Sequence, residues 1–195
     1  MVVRRRRGEE RTDEILRATL DVIGREGLGA VTHRTVAKAS GVGLGSLTYY
    51  FATKQDLLRA ALRLFVAEDI ARLRATAEEL LAAGASGAQT VERFAAQLEA
   101  GGSGGVAQFE LYLEASRDPA LRETAVESLR AYGEVAELAL RAAGVPQPAD
   151  AAAVVVATLD GLGLHRLAAG PDGPPVGPAL ARLWRALSAD ITSSG

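Results

Sequence analysis

Between residues 44 and 51 the chain places small, hydroxylated and aromatic side chains together, with no carboxylate among them. Leu47 and Phe51, four residues apart, form the apolar stripe of a short helix. The opposite face carries Gly45, Ser46, Thr48, Tyr49 and Tyr50. Phenol groups can donate hydrogen bonds to phosphate oxygens. This face therefore suits a polyanion.

A second short helix and a tight turn precede this stretch. Thr32 is a suitable N-cap, because its hydroxyl can accept a hydrogen bond from a free helix N–H. The packed face of the helix is supplied by Val36, Ala37 and Ala39. Ser40-Gly41-Val42 predicts the turn, since glycine tolerates the positive φ that a tight corner between helices needs. Thr53 can then cap a long helix that has Lys54 in its first turn.

The spacing of these residues matches a known family in one register. The matching positions are Ile15-Leu16, Ala18, Val22-Ile23, Gly27, Thr32, Arg34, Val36, Ala37, Ala39, Gly41-Val42, Gly45-Ser46-Leu47, Tyr49-Tyr50-Phe51, Lys54 and Leu57-Leu58. Over about the first third of its length the chain resembles the TetR family of transcriptional repressors. Two positions depart from the pattern: the family more often has tyrosine where Thr48 stands and alanine where Ser40 stands.

The resemblance implies an all-α protein with a three-helix helix-turn-helix head and about six further helices in its body. The head is expected at residues 1–53, and the effector-binding and dimerisation body at 54–195. A homodimer is also implied, since one short recognition helix contacts too few base pairs. Two heads about 34–36 Å apart enter successive major grooves of double-stranded operator DNA. The implied function is a repressor released by a small-molecule effector; an activator, or a regulator without an effector, is the alternative.

Within the head, Arg34 is either a solvated arginine or, as the resemblance implies, a contact to a base edge, where guanidinium most often meets guanine. Tyr49 matches the family's phosphate-contacting aromatic residue. Lys54 combines a positive charge with a helix N-terminus, which favours an anion. The predicted DNA-binding residues are Thr32, His33, Arg34, Leu44, Gly45, Ser46, Thr48, Tyr49, Tyr50 and Lys54.

Charge and composition agree with a DNA-binding head on a separate body. Residues 1–58 hold ten Lys and Arg against seven Asp and Glu, whereas the remainder holds twelve against seventeen. Without cysteine, neither a disulfide framework nor a thiolate metal site can form. Acidic residues follow the basic run at Arg4–Arg7, so no signal peptide is expected, and the longest apolar run is too short to span a bilayer. We therefore expect a cytoplasmic protein.

Helical periodicity runs through the whole chain, and no strand is predicted. Arg4–Arg7 precede the first helix, which is expected from Thr12 to Glu26. These arginines form either a solvated tail or an arm that reaches a DNA groove. The remaining helices are expected near residues 54–83, 89–100, 106–115, 120–143, 149–169 and 178–192, with Gly101–Gly105 as a flexible connection.

The body offers candidates for an effector site and for a dimer interface. Aromatic residues on its helices either fill the core or line an effector cavity: Phe65, Phe94, Phe109, Tyr112 and Tyr132. Glu110 and Glu114, one turn apart, form a solvated face or meet a cationic ligand. The last two long helices resemble the family's dimerisation pair, through Val155, Leu159, Leu162, Gly163, Leu183, Trp184 and Leu187.

No pattern in the chain indicates catalysis. His33 and His165 are far apart in sequence, and no carboxylate can be placed beside either one. His165 is expected to be an interface or core residue. The glycine-rich segment at 101–105 lacks the ending that a phosphate-binding loop needs. We predict no catalytic residue, no metal site and no cofactor.

Overall fold

The computed structural model describes residues 2–99 and 104–189, which form nine α-helices with no strand among them. The helices are α1 (Val2–Glu26), α2 (His33–Ser40), α3 (Leu44–Tyr50), α4 (Lys54–Ala82), α5 (Gly87–Glu99), α6 (Gly104–Ala115), α7 (Pro119–Ala142), α8 (Pro148–Ala169) and α9 (Val176–Ala189). A single 3-10 turn, Leu28–Ala30, joins α1 to α2, and another, Gly170–Asp172, follows α8. The all-α class predicted from the sequence is confirmed.

The start of α1 was predicted wrongly, because the helix begins at Val2 and not at Thr12. Arg4–Arg7 therefore lie within a helix. Arginine is among the better helix formers, and Gly8 is the only strongly unfavourable residue before Thr12. The Thr12 hydroxyl donates to the Gly8 carbonyl (2.9 Å), one turn back in the same helix.

Most other boundaries agree with the predictions to within one or two residues. Asp118 caps α7: its Oδ1 accepts from the N–H groups of Ala120 and Leu121 (2.9 and 3.3 Å). Of the predicted connection Gly101–Gly105, α6 already includes the last two residues, and 101–103 lie outside the described residues. Residues 190–192, predicted to end the last helix, also lie outside them.

Contacts between residues divide the chain into two units. Unit 1 contains the described residues of 1–68 and 102–128, and unit 2 those of 69–101 and 129–195. The boundaries fall inside α4 and α7. The predicted functional division after residue 53 stays a prediction.

In unit 1, α1 packs against both α2 and α6, and α2 packs against α3. Apolar residues at helical spacing supply its interior. The largest of the fully buried ones are Ile15, Ile23, Val31, Val36, Leu47, Leu57, Leu62, Leu111 and Leu121. Burying a leucine or isoleucine side chain contributes about 1.5–3 kcal/mol each. The helix-turn-helix is thus held by the same unit that contains α6.

Two small apolar clusters lie among the described residues of unit 2. The larger one joins α7 to the start of α8 through Ala136, Leu140, Ala143, Val145, Ala151 and Ala152. Trp184 and Leu187 of α9 pack against it. The second cluster joins α5 to α9 through Ala95, Val176 and Leu180. Trp184 also donates its indole N–H to the Ala143 carbonyl (3.1 Å), so its ring is fixed within its own chain.

Gly87 lies where only glycine fits against this tryptophan. A Cβ at Gly87 would lie 2.6 Å from both Cε2 of Trp184 and the Ala143 carbonyl oxygen. We expect Gly87→Ala to lower the free energy of unfolding by about 1–3 kcal/mol, because an overpacked contact forces the ring and backbone apart. The measurement is thermal unfolding by circular dichroism. Gly133→Ala is the matched control: a Cβ there meets nothing within 4 Å, so the alanine should be neutral or stabilising in α7. Equal midpoints for the two variants would contradict the prediction.

Candidate nucleic-acid interface

The first helix of the candidate interface, α2, is capped by a reciprocal pair of threonines. Thr35 donates its N–H to the Thr32 hydroxyl (3.1 Å), and Thr32 donates its N–H to the Thr35 hydroxyl (2.9 Å). Val36 and Ala37 are buried, and Gly41 ends the helix with φ 68°. That left-handed conformation favours glycine and turns the chain toward α3. The predicted cap and turn are confirmed, as are Val36 and Ala37 of the packed face. Ala39 was wrongly placed on that face, because it is exposed near the end of α2.

The second helix, α3, has one buried and one exposed face. Leu47 is fully buried, and Phe51 directly after the helix is 7% exposed. Tyr49 is 84% exposed and Tyr50 is 38% exposed, and their rings meet edge to face with centroids 5.6 Å apart. Gly45, Ser46 and Thr48 are exposed as well, as is Leu44. The outward face predicted from the sequence is therefore presented to solvent.

Part of this face is already hydrogen-bonded to its own helix. The Thr48 hydroxyl donates to the carbonyls of Leu44 and Gly45 (both 3.1 Å), so it is left only as an acceptor while that bond holds. A Cβ at Gly45 would meet nothing within 4 Å, so another molecule can approach the backbone closely there. A Cβ at Gly8 would lie 3.8 Å from the Tyr50 hydroxyl. The start of α1 therefore lies beside the end of α3.

Basic residues on α2 extend the exposed surface. Arg34 and Lys38, four residues apart on α2, are both exposed, and neither forms an ion pair within the described parts of the chain. Lys38 was not among the predicted DNA-binding residues. Its spacing from Arg34 was the available signal, since residues four apart share one face of a helix.

Besides Thr48, three residues predicted to bind DNA have partners inside the protein. Thr32 caps α2, as described above. The Nε2 of His33 donates to the Phe51 carbonyl (2.8 Å). The Nζ of Lys54 donates to the Leu28 carbonyl (3.0 Å). Each holds the head together in this structure, and contact of any of them with DNA stays a prediction.

The aromatic residues proposed for an effector cavity are all half-buried and fall in both units. Phe65, Phe109 and Tyr112 belong to unit 1, and Phe94 and Tyr132 to unit 2. Phe109 and Tyr112 share α6, as the predicted helix at 106–115 implies. The Tyr132 hydroxyl donates to Asp69 (2.8 Å), and Gln108 donates to the Tyr112 hydroxyl (3.2 Å). The cavity stays a prediction.

Unit 2 contains an open groove of about 360 Å³ between α5 and α9. Small side chains form much of it, with Trp184 as its one aromatic residue. None of the five proposed aromatic residues lines it. Over the described residues there is no group of three or more His, Asp or Glu side chains placed to hold a metal ion.

The eighth helix, α8, exposes an apolar stripe. Val154 and Leu164 are each 52% exposed, and with Ala157, Gly161 and Ala168 they follow the spacing of one helix face. By length and composition α8 is the one described helix that could cross a membrane, although only 17% of its most apolar window is buried in this chain. An exposed apolar stripe of this length is typical of a surface that contacts another molecule.

The predicted dimerisation residues of α8 lie on the face opposite this stripe, and the others belong to α9; their part in a dimer stays a prediction. Val155, Trp184 and Leu187 pack against the larger cluster of unit 2, and Leu159 packs against the smaller one. Leu162, Gly163 and Leu183 are half-buried. Near the middle of α8, burial raises the pKa of the Asp160 carboxyl above its ordinary value. His165 is exposed, so it is not a core residue of this chain.

Two family profiles match the chain. Residues 15–61 match the bacterial regulatory proteins of the tetR family, and residues 85–189 match the C-terminal domain of tetracyclin repressor-like proteins. Among curated proteins, the HTH-type transcriptional regulator BetI of Stenotrophomonas maltophilia is 37% identical over 70 residues, or 34% of this chain and 36% of BetI. PksA of Bacillus subtilis is 39% identical over 56 residues, 29% and 27% of the two chains. The chain thus spans about a third or less of the length of these curated relatives.

Solved structures match over most of their length. A member of the TetR family from Streptomyces coelicolor is 35% identical, with a TM-score of 0.70 over 89% of this chain and 98% of that one. The multidrug binding protein EbrR, complexed with malachite green, is 36% identical, with a TM-score of 0.67 over 91% and 98%. A profile that covers more than half of the chain and relatives matched almost end to end agree with the exposed helix-turn-helix. The chain therefore belongs to the TetR family of transcriptional regulators.

Proposed function

We propose that this protein is a transcriptional repressor that binds operator DNA as a homodimer and is released by a small-molecule effector. The exposed face of α3 supports this most directly. Tyr49 and Tyr50 face solvent on a helix whose other side is fixed by Leu47, and no carboxylate lies among residues 44–50. Arg34 and Lys38 add positive charge beside it. Such a surface suits the phosphate backbone and the base edges of a major groove.

The proposed contacts divide into two kinds. We propose that Tyr49, Tyr50, Ser46 and Lys38 bind phosphate oxygens, contacts that position the head without reading sequence. We propose that Arg34 reads a base edge. Arg4–Arg7, at the start of α1, are proposed to reach an adjacent groove, where the negative potential attracts arginine.

The stripe on α8 supports the homodimer. Its apolar residues are exposed in a single chain and have the spacing by which helices pair. A second copy would cover the stripe and bring two heads onto one duplex. Such a protein would work in the cytoplasm, where the DNA is.

The effector is supported by relatives that have known ligand complexes. EbrR is described as a multidrug binding protein, and its structures include complexes with ethidium and malachite green, at 34% and 36% identity to this chain. We propose that the body of this protein likewise binds a small aromatic molecule, with Phe65, Phe94, Phe109, Tyr112 and Tyr132 as the residues to test. The proposed work of the body is binding, not catalysis.

Enrichment of a random duplex library on the purified protein tests DNA binding, and fluorescence anisotropy then measures affinity for the enriched duplex. Tyr49→Ala should weaken binding to the enriched and the scrambled duplex by a similar factor, about tenfold, because a phosphate contact carries no sequence information. Tyr49→Phe removes only the hydroxyl and separates hydrogen bonding from ring contact. Malachite green, titrated against the complex and against free duplex, tests release. Failure to enrich any sequence would contradict the proposal of a sequence-specific repressor. Failure of a broad panel of small molecules to release DNA would contradict the proposal of an effector.

A further inference from the structure

Leu28 lies in the turn between α1 and α2. Charged side chains from two other helices form hydrogen bonds with its backbone N–H and its carbonyl group. Leu28 donates its N–H to Oε2 of Glu110 on α6. Its carbonyl accepts a hydrogen bond from Nζ of Lys54 on α4 (3.0 Å). All three residues are half-buried, and all belong to unit 1. Charged partners make stronger hydrogen bonds with backbone groups than neutral ones do.

The backbone before Leu28 is shaped for this contact. Gly27 has φ 82°, a conformation that favours glycine, and its N–H donates to the Ile23 carbonyl at the end of α1 (2.9 Å). A Cβ on Gly27 would lie 3.5 Å from Oε1 of Glu110, so the carboxylate lies directly against the turn. The Leu28 N–H therefore points at α6 and not into solvent.

Further hydrogen bonds connect this turn to the DNA-binding helices. The Thr35 hydroxyl of α2 donates to the carbonyl of Ala30, the last residue of the turn (2.7 Å). His33, the first residue of α2, donates to the Phe51 carbonyl directly after α3 (2.8 Å). Hydrogen bonds thus connect the turn that contains Leu28, through α2, to the end of α3.

We propose that Glu110 and Lys54 are positioning residues for the DNA interface: together they hold Leu28 and set the angle at which α2 and α3 leave α1 and α6. This inference rests on the proposed DNA binding. It changes the role of Lys54, whose ammonium group holds the protein's own backbone in place of a DNA phosphate. It also changes the role of Glu110, which is neither merely solvated nor a ligand for a cation.

The variants are Glu110→Ala, Lys54→Met and their combination, measured on the enriched duplex at several salt concentrations. Each single change should weaken affinity by about tenfold, the loss expected when a hydrogen bond to a charged group is removed. Both side chains act on the same residue. The fold loss of affinity in the double variant should therefore be clearly smaller than the product of the fold losses in the two single variants. The slope of log affinity against log salt should stay at the wild-type value, since no phosphate contact is lost.

Two further variants separate positioning from general damage. Glu110→Gln keeps a side-chain oxygen that can accept from Leu28, so it should recover most of the affinity. Glu114→Ala, one turn along α6, removes a carboxylate that pairs with Arg117 (3.6 Å) and should leave affinity unchanged. Stoichiometric titration gives the active fraction, so partial unfolding is separated from a weaker dissociation constant.

The outcomes are distinct. A salt slope reduced by about one for Lys54→Met would identify a phosphate ligand and overturn the inference for Lys54. Wild-type affinity for Glu110→Ala would overturn it for Glu110. Absence of duplex binding by the wild-type protein would instead remove the proposed function on which the inference rests.

Discussion

Leu164→Glu is expected to yield a folded monomer whose affinity for the enriched duplex is lower by about a hundredfold or more. Two linked heads bind a duplex far more tightly than one, commonly by a factor of about 10²–10⁴. Leu164 is 52% exposed in the single chain, so the substitution removes little from the chain's own core. In the proposed dimer it would bury a carboxylate in an apolar stripe, one turn from Asp160, whose carboxyl already has a raised pKa through burial.

Sedimentation velocity measures the change in mass, and anisotropy measures the change in affinity. Leu113→Glu is the matched control, because this leucine on α6 is 65% exposed and lies outside the stripe. The control should remain dimeric and should keep its affinity for the duplex. A dimer of wild-type strength for Leu164→Glu would place the interface elsewhere than on α8.

The helix-turn-helix could be predicted in detail because its determinants are local. The cap at Thr32, the glycine at Gly41 and the spacing of Leu47 from Phe51 each act over a few residues. The effect of such features on φ, on free N–H groups and on the buried face is the same in most proteins. These local features were enough to predict that Tyr49 and Tyr50 lie on the exposed face of α3.

The partners of charged side chains could not be predicted in this way. Lys54 forms a hydrogen bond with the carbonyl of Leu28, 26 residues earlier in the chain, and Glu110 accepts one from the Leu28 N–H, 82 residues away. Helical periodicity shows only that such residues lie off the core face. Which backbone group they reach depends on how helices pack, so Lys54 was assigned to DNA from the sequence.

The exposed face of α8 could not be predicted from the sequence for a different reason. This helix is apolar on nearly every side, so its sequence does not distinguish the face that packs inside the chain from the face left exposed. Val155 and Leu159 were chosen as interface residues, yet both pack on clusters of their own chain, while Val154 and Leu164 face outward. Only the burial of each residue distinguishes the two opposite faces of such a helix.

Arg34→Ala is expected to relax the base preference at one position of each half-site while leaving binding to unrelated duplexes nearly unchanged. A bidentate contact between guanidinium and a base edge discriminates by about 1–3 kcal/mol, or about 5-fold to 150-fold between the right and the wrong base pair. Arg34 is exposed in the first turn of α2 and forms no ion pair with another described residue, so the guanidinium is available for such a contact.

The measurement is a second enrichment with the variant, followed by affinities for all four base pairs at the relaxed position. Arg34→Lys should not restore the preference, since an ammonium group cannot make the two parallel hydrogen bonds of a guanidinium. Lys38→Ala on the same face of α2 is the internal comparison. It should weaken binding to all duplexes by a similar factor. It should also lower the slope of log affinity against log salt by about one, as loss of a phosphate contact does. If Arg34→Ala produced that same uniform loss, Arg34 would be a phosphate ligand. Sequence reading would then have to lie with exposed residues of α3 such as Leu44 and Gly45, where the base edges would meet an apolar side chain and open backbone.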